Sequence, residues 1–203
     1  MTLEIRKYGD PVLRSKGARV SSVDDKIRKL AQDMLDTMHA ANGVGLAAQQ
    51  IGQALQLTVL DVSEVEDRPS ALRIDGRDVD VRQAMPLILL NPAIKLDERE
   101  IVTGVEGCLS FPEISAEIDR SHAVTVSADT LDGKRVQFEA TGLLARALQH
   151  EIDHLNGILF IDRMSSGLKA SLASRLKRMQ KETQQAYGKR QKLPRAFKEG
   201  QVL

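Results

Sequence analysis

Residues 141–157 read TGLLARALQHEIDHLNG, and the rest of the chain is best read outward from them. They predict one helix from about Thr141 to Asn156, with Thr141 as its amino-terminal cap and Gly157 as its stop. Inside it stands His150-Glu151-Ile152-Asp153-His154, the pattern HExxH. Histidines four residues apart lie one turn apart on the same face, so both rings can reach one metal ion. Glu151 sits beside them, where it can take a proton from a water at that ion. The competing reading is an amphipathic helix that carries two histidines by chance. Against it, half of the chain's four histidines fall in this single turn.

A catalytic site of this kind needs a third protein ligand and a position open to water. Some zinc proteases extend the motif as HExxHxxGxxH. Gly157 fits that extension, but the last histidine position holds Phe160. Others use a glutamate on a following helix, and no glutamate occurs between Glu151 and Glu182. Asp162 is off register. The search therefore moves upstream to Cys108, the one cysteine, in Glu106-Gly107-Cys108-Leu109-Ser110-Phe111-Pro112. The glycine and proline around it predict a turn. A lone cysteine is often only a small buried hydrophobe, but here it completes a set of Cys108, His150 and His154. A copper electron-transfer centre also uses one cysteine and two histidines, yet has no use for Glu151. A third feature is Gly43-Val44-Gly45-Leu46-Ala47-Ala48-Gln49-Gln50. Its glycines let backbone approach a ligand closely, and Asn42-Gly43 also ends a helix. It lacks the Lys-Ser/Thr ending of a phosphate loop.

Further elements follow from periodicity. Ile27, Leu30, Ala31, Met34, Leu35 and Met38 predict a helix, with Asp24 and Asp25 at its amino end. Leu57–Val62 and Pro86–Leu90 read as buried strands, and the polar stretch Ser63–Met85 between them as a long loop or an excursion. Strands are expected over Glu98–Val105, His122–Ala128 and Lys134–Glu139, the last two joined by a hairpin turn at Asp132-Gly133. A helix beginning near Ser165 or Ser166 carries Leu168, Leu172, Leu176 and Met179 as one stripe, for packing on the body or on a partner. The chain is expected to fray after Gly188. Together these make an α+β fold, with short, mainly antiparallel strands around a central HExxH helix, plus an amino-terminal and a carboxyl-terminal helix.

Charge divides the chain. Its 203 residues carry 29 Lys+Arg against 28 Asp+Glu, but residues 163–203 hold 11 of those cations and 2 of the anions, a net +9. A catalytic unit, 1–162, and a basic helical tail, 163–203, are expected. One cysteine excludes an internal disulfide and points to the cytoplasm. No apolar run approaches a membrane span, and the charged first ten residues do not read as a secretory signal. Aromatics at 3% with no Trp argue against stacking platforms for single-stranded nucleic acid, and nothing marks sequence-specific nucleic-acid binding.

GVGLAAQQ (43–50), EGCLS (106–110) and QHEIDH (149–154) together resemble the three signatures of peptide deformylases, and Gly9-Asp10-Pro11-Val12-Leu13-Arg14 resembles that family's opening. The resemblance covers about residues 4–165. Gln49 stands where a proline is common, and the 63–85 stretch is longer than in compact members. The resemblance implies removal of the formyl group from the formyl-methionine of newly made polypeptides. It implies one divalent metal, Fe2+ in the cell, with Zn2+, Ni2+ or Co2+ as substitutes, held by Cys108, His150 and His154. It further implies Glu151 as general base and the Leu109 N–H and Gln50 amide as oxyanion donors, with Gly45 offering backbone to the peptide.

Leu143, Ala147, His150 and His154 share a helix face, so Leu143, Ala147 and Val44 are candidates for a methionine pocket. Leu143 and Ala147 can equally be core. Glu106 is a candidate substrate contact or a brace for its own turn, and Asp153 can orient a ligand together with Arg120. His39 and His122 read as structural. A ribosomal contact through the basic tail is expected from the substrate's origin and from deformylases with a carboxyl-terminal helix. The alternatives are a metallopeptidase cutting internal bonds, which the missing downstream ligand disfavours, and a non-catalytic metal-stabilised binding protein, which needs no Glu151.

Overall fold

The segment bearing both histidines folds as a helix held between two antiparallel sheets. A computed structural model describes residues 1–192, with side chains through residue 187. Its helices are α1 (Asp25–Ala40), α2 (Val81–Ala84), α3 (Gly142–Leu155) and α4 (Ser166–Lys192). Its strands are β1 (Gly45–Ala47), β2 (Leu57–Leu60), β3 (Ser70–Ile74), β4 (Arg77–Val79), β5 (Leu87–Leu96), β6 (Ile101–Gly107), β7 (Ser115–Ser121), β8 (Ala123–Asp129) and β9 (Arg135–Thr141). The larger sheet has the order β1-β2-β5-β8-β9-β3-β4, and β6 pairs with β7 in a smaller one. Every strand pairing is antiparallel. The α+β architecture is as the sequence predicts.

α3 is buried at every residue from Leu143 to Leu155, the mark of a helix with structure on all sides. Leu144, Ala145, Leu148 and Ile152 pack on the larger sheet with Leu60, Val126, Phe138 and Ala140. α1 covers another part of that sheet, setting Ala31, Met34, Leu35 and Met38 against Leu46, Leu57 and Val59. Its cap is Asp24, whose Oδ1 accepts from the Ile27 N–H at 2.9 Å.

Three local expectations need correction. Thr141 occupies the cap position of α3, but its side chain makes no capping bond. It closes β9, in register with Ala71 and Ala123. The helix amides are taken instead by Ser70 Oγ, from Leu144 at 3.0 Å, and by the Pro69 carbonyl, from Leu143 at 3.2 Å. The 63–85 stretch is not all loop. Asp75-Gly76 turns β3 back into β4, and β3 pairs with β9 to extend the larger sheet. Finally, α4 continues past Gly188, where fraying was expected, to Lys192. Residues 193–203 lie outside the described ones.

The carboxyl end of α3 is closed by Gly157 at φ 73°. The Leu155 carbonyl there accepts from Gly17 N–H at 2.8 Å, Gln56 Nε2 at 2.9 Å and Gln49 Nε2 at 3.2 Å. Gln49 thereby ties the glycine-rich segment to the end of the histidine helix.

α4 lays Leu168, Leu172, Leu176 and Met179 on a cluster with Leu13, Phe111, Phe160 and Met164. Within it Tyr8 stacks on Phe111 at 4.8 Å, and Phe111 meets Phe160 edge-on at 5.0 Å. Lys169, Lys177, Arg178 and Lys181 stay exposed. The change of charge at residue 162 therefore falls inside a continuous apolar cluster. Among the described residues no helix is long and apolar enough to cross a membrane. Leu176→Ala should lower unfolding free energy by about 2–5 kcal/mol, the usual range for truncating a buried leucine, in one cooperative urea transition. An unshifted transition would mean that the helix rides on the body without supporting it.

Candidate metal centre

Cys108, His150 and His154 come from different elements and converge. Cys108 follows the last residue of β6, on the turn its neighbours predict, and the Phe111 N–H closes that turn onto the Cys108 carbonyl at 2.8 Å. The histidines stand one turn apart on α3, with ring centres 5.0 Å apart and planes at 73°. One donor atom from each of the three residues lies within 4.8 Å of the others. Cys108 Sγ is 3.3 Å from His154 Nε2.

The residues around this triplet fix the donors. His150 Nδ1 donates to Glu106 Oε2 at 3.0 Å, which turns Nε2 toward the ligand position. Burial opposes a charge on this ring, but the bonds to Cys108 and Glu106 hold it well above its ordinary value, so a metal has to displace that proton. Glu106 is saturated by protein donors. Arg120 Nε and Nη2 reach its two oxygens at 2.9 and 3.1 Å, and Arg146 Nη1 reaches Oε1 at 2.8 Å. Burial pushes the Glu106 carboxyl up, but the bonds from His150 and Arg120 outweigh it and hold it at about 2. Its side chain faces inward to His150, with both oxygens engaged by protein donors. Arg120 also donates to Asp153 at 2.5 Å, and Asp153 takes a second cation from Arg163 at 2.7 Å. The expected pairing of Asp153 with Arg120 is present. Burial and the nearby charges of His150 and Arg120 push the His154 ring well below its ordinary value, so it is neutral, the form that binds a metal.

Glu151 is 4% exposed, and burial pushes its carboxyl up to about 7. A carboxyl near neutrality can both take and return a proton. Glu151 Oε2 is a buried side-chain atom with no partner, an arrangement that a bound group relieves. A thiol and two imidazoles around one point, with a base alongside and a cavity above, fit a small divalent cation with one position free.

That cavity has a volume of about 650 Å3. Val44, Gly45, Gln50, Leu109, Leu143 and Ala147 all reach its wall, together with Glu106, Cys108, His150 and Glu151. His154 is 1% exposed and lies beneath it. Gln50 is oriented by the Ala47 N–H, which donates to its Oε1 at 2.8 Å and turns Nε2 toward Cys108 Sγ at 3.5 Å and Ser110 Oγ at 3.3 Å. The Leu109 carbonyl is held by Lys7 Nζ at 2.7 Å. Gly45 lies on β1, an outer strand of the larger sheet, so one backbone edge is available to an added strand. His39 is elsewhere, 3.0 Å from Asp61.

Sequence reasoning missed Arg146 and Lys7. Arg146 stands one turn before His150, so the helical spacing that singled out Ala147 carries it too. A search for an apolar pocket floor passed over a cation. Lys7 had no signal, because its contact to Leu109 spans 102 residues.

Residues 2–170 match the family model described as polypeptide deformylase. A peptide deformylase of Methylacidiphilum infernorum is 43% identical over 181 residues, covering 89% of this chain and 94% of the relative. Among solved structures, the peptide deformylase of Thermotoga maritima aligns with TM-score 0.69 and 38% identity, over 81% of this chain and 99% of that one. Peptide deformylase 1B of Arabidopsis thaliana, in complex with an inhibitor, aligns with TM-score 0.78 and 35% identity, over 92% and 94%.

The cavity wall also yields a sharp test of the base's position. A Cβ on Gly45 would lie 2.5 Å from Glu151 Oε1. Gly45→Ala should displace that carboxylate by about 1 Å, which is enough to lower a rate about 100-fold. Co2+ binding should be unchanged, because the atoms that a Cβ there would meet first all belong to Glu151. A crystal structure of the variant with Glu151 in place would contradict this.

Proposed function

Since the chain belongs to the peptide deformylase family of metal-dependent hydrolases, whose reaction frees formate from formylated polypeptides, we propose how its residues divide that work. Cys108, His150 and His154 hold the metal, Glu151 carries the proton, and the Leu109 N–H and Gln50 amide receive the developing oxyanion. The observation that supports this most is the convergence of a thiol and two imidazoles within 4.8 Å, with a buried carboxyl beside them at the foot of an open cavity.

When bound, the metal acts as a Lewis acid that makes water nucleophilic near neutral pH and polarises the formyl oxygen. The chain's own residues do the rest. Glu151 takes a proton from the attacking water and later returns it to the departing amine. Burial raises its proton affinity to the range that both steps need, and a cation alongside draws it down again. Gln50 has its carbonyl end fixed, so its N–H group is placed before charge develops. Removing one such donor typically costs about 2.7–4 kcal/mol of barrier. β1 at Gly45 takes the peptide backbone as an added strand, which sets the formyl group over the ligands. Val44, Leu143 and Ala147 form the wall for the methionine side chain.

The physiological metal is Fe2+, for which a thiolate and two imidazoles are suitable ligands. The enzyme works in the cytoplasm on formyl-methionyl chains as they emerge from the ribosome. The exposed cations of α4 contact ribosomal phosphate while its apolar stripe stays on the body.

Three measurements test this division. Glu151→Gln should bind metal stoichiometrically and release formate from formyl-Met-Ala-Ser at least about 100-fold more slowly. Near wild-type turnover would remove Glu151 from its role. The iron-loaded enzyme should lose activity in air faster than the nickel- or zinc-loaded one, because thiolate and ferrous iron oxidise. Equal decay with every metal would place the damage elsewhere. Co-sedimentation with ribosomes should fall steeply over a salt series and weaken when the chain is cut after Gln185, while formate release from a free peptide persists. Association indifferent to salt and to the cut would exclude the helix as the contact.

A further inference from the structure

Arg146 is 7% exposed, and its head group spans three elements at once. From α3, Nη2 donates to the Val102 carbonyl on β6 at 2.6 Å, and Nη1 donates to the Ile118 carbonyl on β7 at 2.8 Å. Nη1 also reaches Glu106 Oε1 at 2.8 Å and the Gly104 carbonyl at 3.4 Å. Gly104 and Ile118 face each other in the β6–β7 register, so one guanidinium joins both strands of the smaller sheet to the helix. It reaches them because residue 104 has no side chain. A Cβ there would sit 2.9 Å from Nη2 and 3.0 Å from Cζ.

The geometry makes this contact a matter for the metal. β6 ends at Gly107 and delivers Cys108 directly, whereas α3 carries His150 one turn beyond Arg146. The anion that orients His150 is the same Glu106 that Arg146 holds. We propose that Arg146 is a positioning residue of the metal centre: seated over Gly104, it fixes the strand leading to Cys108 against the helix bearing His150, and so sets how tightly the ion is retained. The proposal rests on the reading of Cys108, His150 and His154 as ligands. It adds a residue outside the three signature motifs, one that also reaches the cavity wall.

The test uses full-length protein loaded with Co2+, whose thiolate-to-cobalt absorption reports the Cys108 bond. Release to excess chelator is followed for the wild type, Arg146→Met, Arg146→Lys and Gly104→Ala. Arg146→Met should release Co2+ about 10–100-fold faster, the range typical when a group supporting a ligand is lost, with a weakened thiolate band. Arg146→Lys should be intermediate, because a point charge can still face Glu106 but has no fork to span two strands. Gly104→Ala keeps the arginine and pushes it from its seat, so it should also speed release. It decides the matter if Arg146→Met fails to fold. With saturating Co2+, turnover of formyl-Met-Ala-Ser by Arg146→Met should recover most of the wild-type kcat. Wild-type release rates and spectra in folded Arg146→Met and Gly104→Ala would overturn the proposal. So would a loss of kcat that saturating metal leaves unrepaired while release is unchanged, since Arg146 would then act on substrate. A wild type that binds no Co2+ would instead remove the ligand assignment underneath, and the two failures are told apart by that control.

Discussion

A single buried carboxylate holds the site together. Glu106 accepts from two arginines and one histidine, and those donors arrive from β7 and from α3. Taking a carboxylate out of water is very unfavourable unless every lone pair finds a charged or polar partner. The partners therefore have to assemble together, and the elements that bear them must meet at one orientation. Removing one partner from such a group typically costs about 3–5 kcal/mol, because the remaining charge is left uncompensated. Specificity of geometry follows, more than strength. His150 is turned so that one nitrogen looks at Glu106 and the other at the ligand position.

α3 shows how a fold can bury chemistry without neutralising it. One side of the helix is ordinary core against the larger sheet. The other carries Arg146, Gln149, His150, Glu151, Asp153 and His154, all buried. Most of these are satisfied by protein groups. Gln149, for instance, both donates to and accepts from the Ser121 backbone, at 2.9 and 3.1 Å. Glu151 Oε2 and His154 Nδ1 are the unpaired remainder, and of the two residues Glu151 lines the cavity. Reactive capacity is thus concentrated at one carboxyl by satisfying nearly everything around it.

Much of this was legible in the sequence, for identifiable reasons. The helical repeat of α1, the Asp132-Gly133 turn and HExxH are local patterns, and local patterns survive without tertiary information. Cys108 was reached by eliminating downstream ligands, and the fold sets its sulfur within 4.8 Å of a nitrogen from each histidine. The failures have a common physical origin. β7 was not foreseen because its inward positions are Ala116, Ile118 and Arg120, and a charged residue at an inward position breaks the apolar alternation. β3 and β4 were hidden by exposure: Asp75-Gly76 is a turn signal, but the strands beside it are short and Leu72 is their one buried residue. The cap of α3 comes from Ser70, 74 residues away from the amide it accepts from, where no local rule can look. Arg146 belongs to the same class, since its partners lie 28 to 44 residues distant.

The cluster beneath α4 has a consequence for the order of events in the protein's own synthesis. Leu13, Phe111 and Leu176 share that cluster, and Cys108 packs against it. A chain leaves the ribosome amino end first, so the floor under the Cys108 turn stays incomplete until residue 176 has emerged. Contacts between the first and last parts of a sequence form late, because the loop between them must close first. The histidine helix and the larger sheet can condense earlier, from residues up to about 155. A protein whose substrates are unfinished chains thus completes the floor beneath its own Cys108 turn only when it is nearly finished itself.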